Sequence, residues 1–251
     1  MDPNLTPDPQ MLAGRRILVA GGAGNVGRVI VRSLLDAGAS VVVPSRSAER
    51  IERLRSELGD ARGGLIALHG DLADEREGGR VLDAAIGRGG ALDGAVASLG
   101  TFIPAPSILE ARPDDLRRAL NAGVVAHFMV ARTVIPALRD GAAYTFVNGL
   151  LAFEPRFPGT GLLSIAGAAQ AMFARLAMTG TRPSIRVNEV VLYTSFGRPD
   201  DEERNRRGVS KRQVADFITL LASDRAEGVR GQTIHLTSTA KFEALRPAAS
   251  A

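Results

Sequence analysis

The sequence predicts an α/β fold: a single-domain, Rossmann-like, doubly wound parallel sheet of seven strands with helices on both faces. Three observations predict it. Short apolar runs alternate with helical patterns along the chain, and such alternation gives parallel strands joined by right-handed helical crossovers. A glycine-rich turn, Gly21 to Gly27, stands between the first strand and the first helix. No linker divides the 251 residues, so 14–245 is expected to be one domain, with loose tails at 1–13 and 246–251.

The elements follow in order. Arg16–Ala20 reads as a buried strand, and Asn25–Ala37 as a helix that Gly38 ends. Ser40–Pro44 is a second strand, and Ala48–Leu58 a charged amphipathic helix. Leu65–Leu68 and Glu75–Ile86 form the third strand and helix, and Asp93–Ser98 the fourth strand. Pro113 suits a first helical position and opens a long helix to about Leu138. A fifth strand is expected at Ala142–Asn148 and an alanine-rich helix at Gly161–Thr179. Ile185–Leu192 is the sixth strand, Ser210 caps a helix to about Ala222, and Thr233–Leu236 is the last strand.

Composition excludes several classes. The absence of cysteine rules out disulfides, thiolate metal sites and a cysteine nucleophile. The formal charge of +4 is carried almost wholly by scattered arginines, Lys211 and Lys241 being the only lysines. With aromatics at 4%, no basic stripe with stacking platforms points to nucleic acid. Three separated histidines give no metal-site spacing. No signal peptide and no run of about 18 apolar residues is visible, so the expected location is the cytoplasm, away from the membrane.

In such sheets ligands bind beyond the carboxyl ends of the strands. Gly21, Gly24 and Gly27 give a G-x-x-G-x-x-G spacing there, and with Asn25 and Val26 they lead into the amino end of a helix. Glycine allows the tight turn, and the helix end offers unpaired amides to a diphosphate. At the end of the second strand an NAD site usually carries an acid for the ribose 2′-hydroxyl. Here Ser45, Arg46 and Ser47 stand instead, and a guanidinium suits a 2′-phosphate, so NADP(H) is expected over NAD(H).

With these residues the sequence resembles the short-chain dehydrogenase/reductase family, from about Gly14 to Thr237. Asp71 and Leu72 look like its adenine-contacting pair, and Asn121 like its helix asparagine, which usually kinks the helix and orders a water. Ile185-Arg186-Val187-Asn188 and Gly231-Gln232-Thr233-Ile234 resemble its late signatures. By the same resemblance Ser98, Gly100 and Thr194 are expected at the cofactor, and a homodimer or homotetramer through the fourth and fifth helices. Leu116, Leu120, Val124 and Phe128, with the small residues Ala166 to Ala171, fit that contact.

The departures fall on the chemistry. Ala97-Ser98-Leu99-Gly100 stands for the family's Asn-Asn-Ala-Gly, Gly149-Leu150-Leu151 follows the fifth strand without a serine, and Leu192-Tyr193 replaces a Pro-Gly. Leu163 and Gly167 align with the Tyr-x-x-x-Lys pair, and neither tyrosine of the chain, Tyr144 or Tyr193, has a lysine four residues on. In the family that lysine lowers the tyrosine's pKa for proton transfer.

Other candidates for the chemistry each carry a plainer alternative. Ser164 reaches a substrate or packs its helix; Tyr193 donates a proton or walls the pocket; Asn148 polarises a carbonyl or satisfies strand-end backbone. His127 reads as a packed interface residue, and His69 and His235 as remote from the site. Phe102, Leu150, Leu151, Phe153, Phe157, Leu162, Leu163 and Leu192 form either an apolar substrate pocket or a vacated site filled with apolar side chains. The segment from Ser195 to Val209 reads as a lid. The expectation is an atypical NADP(H)-dependent reductase of an apolar ketone, its proton coming from water, the substrate or Tyr193. A non-catalytic cofactor-binding partner or sensor, and a non-redox cyclase or isomerase, remain as alternatives.

Overall fold

Apolar residues fill both faces of a seven-stranded sheet, because each strand of a parallel sheet is covered on two sides. The computed structural model describes residues 8–87, 91–193 and 209–237. The strands are β1 (Arg16–Ala20), β2 (Ser40–Ser45), β3 (Leu65–His69), β4 (Leu92–Ala97), β5 (Leu138–Gly149), β6 (Arg186–Leu192) and β7 (Thr233–Leu236). They lie in the order β3-β2-β1-β4-β5-β6-β7, every pairing parallel. The chain order reverses between β1 and β4, which opens a crevice at their carboxyl ends.

The helices are α1 (Gly27–Asp36), α2 (Ala48–Leu58), α3 (Gly78–Ile86), α4 (Pro113–Leu120), α5 (Ala126–Val134), α6 (Gly161–Gly180) and α7 (Lys211–Leu221). On one face α1, α2 and α7 enclose a core with Ile17, Val19, Val41, Val190 and Phe217. On the other, α3, α5 and α6 enclose Leu18, Val42, Tyr144, Phe146 and Val187. A third, small cluster of Ile103, Ala119, Leu162 and Ala166 joins the β4–α4 connection to α4 and α6.

Four boundaries differ from expectation, each for a local reason. The long fourth helix is broken: Asn121–Val125 forms a π-type segment in which Gly123 is non-helical (φ −96°, ψ −105°). Gly123 lies close against α6, where a Cβ would sit 3.1 Å from that of Ala166. β5 starts four residues early, at Leu138, because Leu138 already pairs with Leu92 before an irregularity restores register at Gly94 and Ala143. α3 starts late because Asp74 Oδ1 accepts the Arg76 and Glu77 amides, both at 2.9 Å, and holds a turn. The described part of the amino-terminal tail is packed: Leu12 is fully buried and its amide donates to the Ala37 carbonyl at 2.8 Å.

Two helical stretches, Pro113–Ala137 and Pro158–Gly180, are long and apolar enough to cross a membrane. Both are laid against this sheet, and the first is interrupted at Gly123.

Candidate functional site

Past β1 the chain turns on Gly21, whose φ of +78° favours glycine. A Cβ there would strike the carbonyl of Ser98, which closes over the turn from the end of β4. Ser98 is held by its own amide, which donates to the Ala20 carbonyl at 2.9 Å. A Cβ on Gly27 would sit 2.8 Å from Gly22 Cα, and one on Gly24 3.0 Å from the Gly21 oxygen. The backbone of residues 21–27 is therefore wound on itself with no room for side chains at the three glycines.

α1 begins directly from this turn, two residues later than Asn25. Its first turn has neither a side-chain cap nor an acidic residue. The Arg28 and Val29 amides bond back to the Gly24 and Val26 carbonyls, so the amides left for an anion are those of Asn25, Val26 and Gly27, and the turn fits the diphosphate of a dinucleotide. Asn25 is exposed, and its Oδ1 accepts from Lys211 Nζ at 3.3 Å; Val26 occupies the helix N-cap.

The end of β2 lies beside β1, within the same edge. Arg46 is 79% exposed there, its guanidinium 3.3 Å from Asp71 of the β3–α3 connection. Asp71 is fixed in turn, its Oδ1 accepting the Ala73 amide at 2.8 Å. Ser47 caps α2 by accepting the Arg50 amide at 3.2 Å, and its own amide donates to Ser45 Oγ at 3.2 Å. Leu72 is buried in the core, so only its backbone faces the edge. Gly100 is exposed with a φ of +140°. Thr194 and nearly all of the expected lid, to 208, lie outside the described residues.

The carboxyl ends of β5, β6 and β7 carry a second group of side chains. Asn148 is buried, donating to the Gly167 carbonyl at 3.0 Å and to Glu189 at 2.9 Å. Its Oδ1 accepts the Gly149 amide at 2.8 Å, so its amide is committed to the protein. Glu189, fully buried in β6, also accepts from Thr233 Oγ1 at 3.1 Å. Gly167 faces this group from α6, where a Cβ would sit 2.9 Å from Ala152 Cβ and 3.2 Å from Asn148 Oδ1. The short helical turn Leu150–Ala152 thus closes the space beneath residue 167. Ser164, one turn earlier, has a buried hydroxyl with no hydrogen-bond partner. Asn121 is exposed at the start of the π-type segment.

Tyr193 follows β6, and its hydroxyl lies 2.9 Å from His235 Nδ1. His235 is thus not remote from the site. It stands opposite Val191 in the β6–β7 register, and side chains two apart share a face, so Tyr193 and His235 meet. Phe153 packs edge-on to His235 at 4.8 Å. Burial, then the charge of Glu154, raise the Tyr193 pKa above the ordinary phenol value. That parity was the signal for His235; for Glu189 it was an acid inside an otherwise apolar strand.

His127 is internal rather than at an interface: it is fully buried, with Nε2 3.3 Å from the Leu99 carbonyl and Nδ1 unpartnered. Burial lowers its pKa to about 4, the Leu99 bond opposing this only in part. The apolar side chains do not form one pocket. Leu162 and Leu192 are buried in the cores, whereas Phe102 and Phe157 are 59% and 61% exposed. Leu116 and Leu120 pack in the third cluster, and the outward apolar residues of α5, α6 and the π-type segment are Val125, Phe128, Ile165, Met172 and Leu176.

A parallel sheet with this order and this turn defines a dinucleotide-binding α/β protein of the Rossmann type. Residues 15–195 match the family model described as short chain dehydrogenase, and the chain belongs to that family of oxidoreductases, whose fold binds a nicotinamide cofactor. It is 25% identical over 248 residues to the glucose 1-dehydrogenase of Gluconobacter oxydans, covering 92% of this chain and 93% of the relative. It is 29% identical over 256 residues to the hydroxynaphthalene reductase-like protein Arp2 of Metarhizium brunneum, covering 91% and 96%. A dehydrogenase/reductase structure from Sinorhizobium meliloti superposes with a TM-score of 0.79 at 24% identity, covering 94% and 98%. The short-chain dehydrogenase/reductase structure from Serratia marcescens gives 0.77 at 24%, covering 90% and 97%; both share the fold.

Proposed function

We propose that the protein is an atypical NADP(H)-dependent oxidoreductase that reduces a ketone on an apolar small molecule without a Tyr-x-x-x-Lys pair. The observation that carries this reading is Arg46, exposed and acid-supported at the end of β2, beside a glycine turn that fits a diphosphate. Residues 21–27 would hold the diphosphate, Arg46 with Ser45 and Ser47 the 2′-phosphate, and Asp71, Leu72, Ser98 and Gly100 the adenosine side. Bound there, a nicotinamide cofactor supplies the hydride.

The proton comes from water, from a hydroxyl of the substrate, or from Tyr193. For Tyr193 the support is its bond to His235, which can accept or return the phenolic proton. The names of the hydroxynaphthalene reductase-like relatives favour an aromatic substrate with a neighbouring hydroxyl, as do Leu151 and Phe153 after β5. The exposed strip Val125, Phe128, Met172 and Leu176 supports a homodimer or homotetramer, which light scattering would report.

The test is NADPH oxidation against a panel of aromatic and alicyclic ketones, with Tyr193→Phe alongside. Turnover on at least one hydroxylated aromatic ketone is expected. Tight NADPH binding with no turnover anywhere would favour the second reading, a cofactor-binding partner or sensor. That reading is supported by Gly167, where a lysine has no space. A stable hetero-complex drawn from the native host would support it further.

A further inference from the structure

Lys211, on the first turn of α7, lies 186 residues from Asn25 in the chain, yet its Nζ is 3.3 Å from Asn25 Oδ1. Asn25 sits inside the glycine turn, between Gly24 and Gly27. We propose that Lys211 is a cofactor-binding residue, its ammonium group carried by α7 to the glycine turn to bind the diphosphate. The inference rests on the dinucleotide reading and adds a cation that neither the glycine spacing nor the family resemblance assigns.

Three observations support it. First, the side chain is delivered by rigid structure. Ser210 and Gln213 form a reciprocal capping box at the start of α7. α7 is pinned to α1 by Ser33 donating to Asp216 at 2.6 Å and by Arg212 reaching Asp36 at 2.9 Å.

Second, Lys211 makes no ion pair among the described residues, whereas the neighbouring Arg28 is neutralised by Glu57 at 2.8 Å. Arg28 NH2 also approaches Asn25 Oδ1, at 3.5 Å, so two cations converge on one amide oxygen. Third, burial and then the charge of Arg28 hold the Lys211 ammonium below the ordinary lysine pKa, a cost that an anion between them would remove. An ammonium is a compact point charge, suited to a phosphate oxygen without the fixed geometry that a guanidinium imposes.

The competing role is a tie between α7 and α1 with no ligand contact. Calorimetric titration of the full chain with NADPH, NADH, ADP-ribose and adenosine 2′-monophosphate separates the two. Lys211→Met is expected to weaken the first three by roughly tenfold and by one common factor, because all carry the diphosphate. It should leave adenosine 2′-monophosphate unchanged, and Lys211→Arg should restore most of the loss. Lys211→Gln, which keeps a donor toward Asn25 but not the charge, gives the same reading should the methionine variant fail to fold. Wild-type affinity of Lys211→Gln for ADP-ribose, or an equal loss for adenosine 2′-monophosphate, would overturn the assignment while leaving the dinucleotide reading intact. A wild-type protein that binds none of the four would bring down both.

Discussion

Two places on the sheet's carboxyl edge, at β1 and at β5 on either side of β4, are both closed by glycine, and they are closed against different things. At β1, Gly21, Gly24 and Gly27 bring backbone against backbone, and the result is a turn with free amides at its mouth. At β5, Gly167 brings α6 against the Ala152 and Asn148 side chains, and the result is a filled space. The first kind of close approach exposes hydrogen-bond donors to a ligand; the second consumes them inside the protein. On the proposed reading, the first place serves the cofactor and the second is closed to a side chain at residue 167.

No backbone approach in the glycine turn is tighter than the one at Gly27. Gly27→Ala drives a Cβ into the Gly21 carbonyl, and such overpacking costs about 1–3 kcal/mol. Denaturant unfolding should show that loss, with NADPH affinity falling too. The double variant Leu163→Tyr/Gly167→Lys tests the closure beside β5. It should lose a comparable amount of stability and gain no ketone reduction, because residue 167 has no path past Ala152. A stable, more active double variant would show that the space opens.

Arg46→Ala removes the guanidinium at the end of β2. It should weaken NADPH by roughly 10–100-fold, the range for a charged hydrogen bond, and NADH far less. Equal losses in a binding titration would refute the 2′-phosphate role.

His127 gives a pH dependence of stability that vanishes at neutral pH. Its folded pKa of about 4 lies below the ordinary 6.5, so the unfolded chain binds more protons between those values. Its contribution is fully present above about pH 6.5 and is lost as pH falls toward 4. Between pH 7 and 5 this amounts to about 2 kcal/mol. His127→Phe, which cannot take the proton, should flatten that part of the stability profile measured by denaturant unfolding.

Much of the fold was legible because its signals are local. Alternating apolar runs gave all seven strands, and β7 matched to the residue because Gln232 and Leu236 bound a short, clean pattern. The early start of β5 was hidden, since exposed Arg139 and Asp140 look like loop and pairing begins at Leu138. The break at Gly123 depends on the approach of Ala166, 43 positions away, which no window along the chain contains.

The strand-end positions of the glycine turn and Arg46 could be read because each follows directly on a short apolar strand. Three features could not be read that way. Tyr193 with His235, Asn148 with Glu189, and Asn25 with Lys211 are each brought together across different elements. Only the sheet register or the packing of α7 on α1 reveals them.

On the proposed reading, the turn from Gly21 to Gly27 seats the diphosphate of a nicotinamide dinucleotide. Calorimetric titration of the wild-type chain with each nucleotide decides this. Saturable heat is expected with both NADPH and NADH, NADPH binding at least about tenfold tighter. No heat and no thermal stabilisation from either nucleotide at millimolar concentration would contradict it.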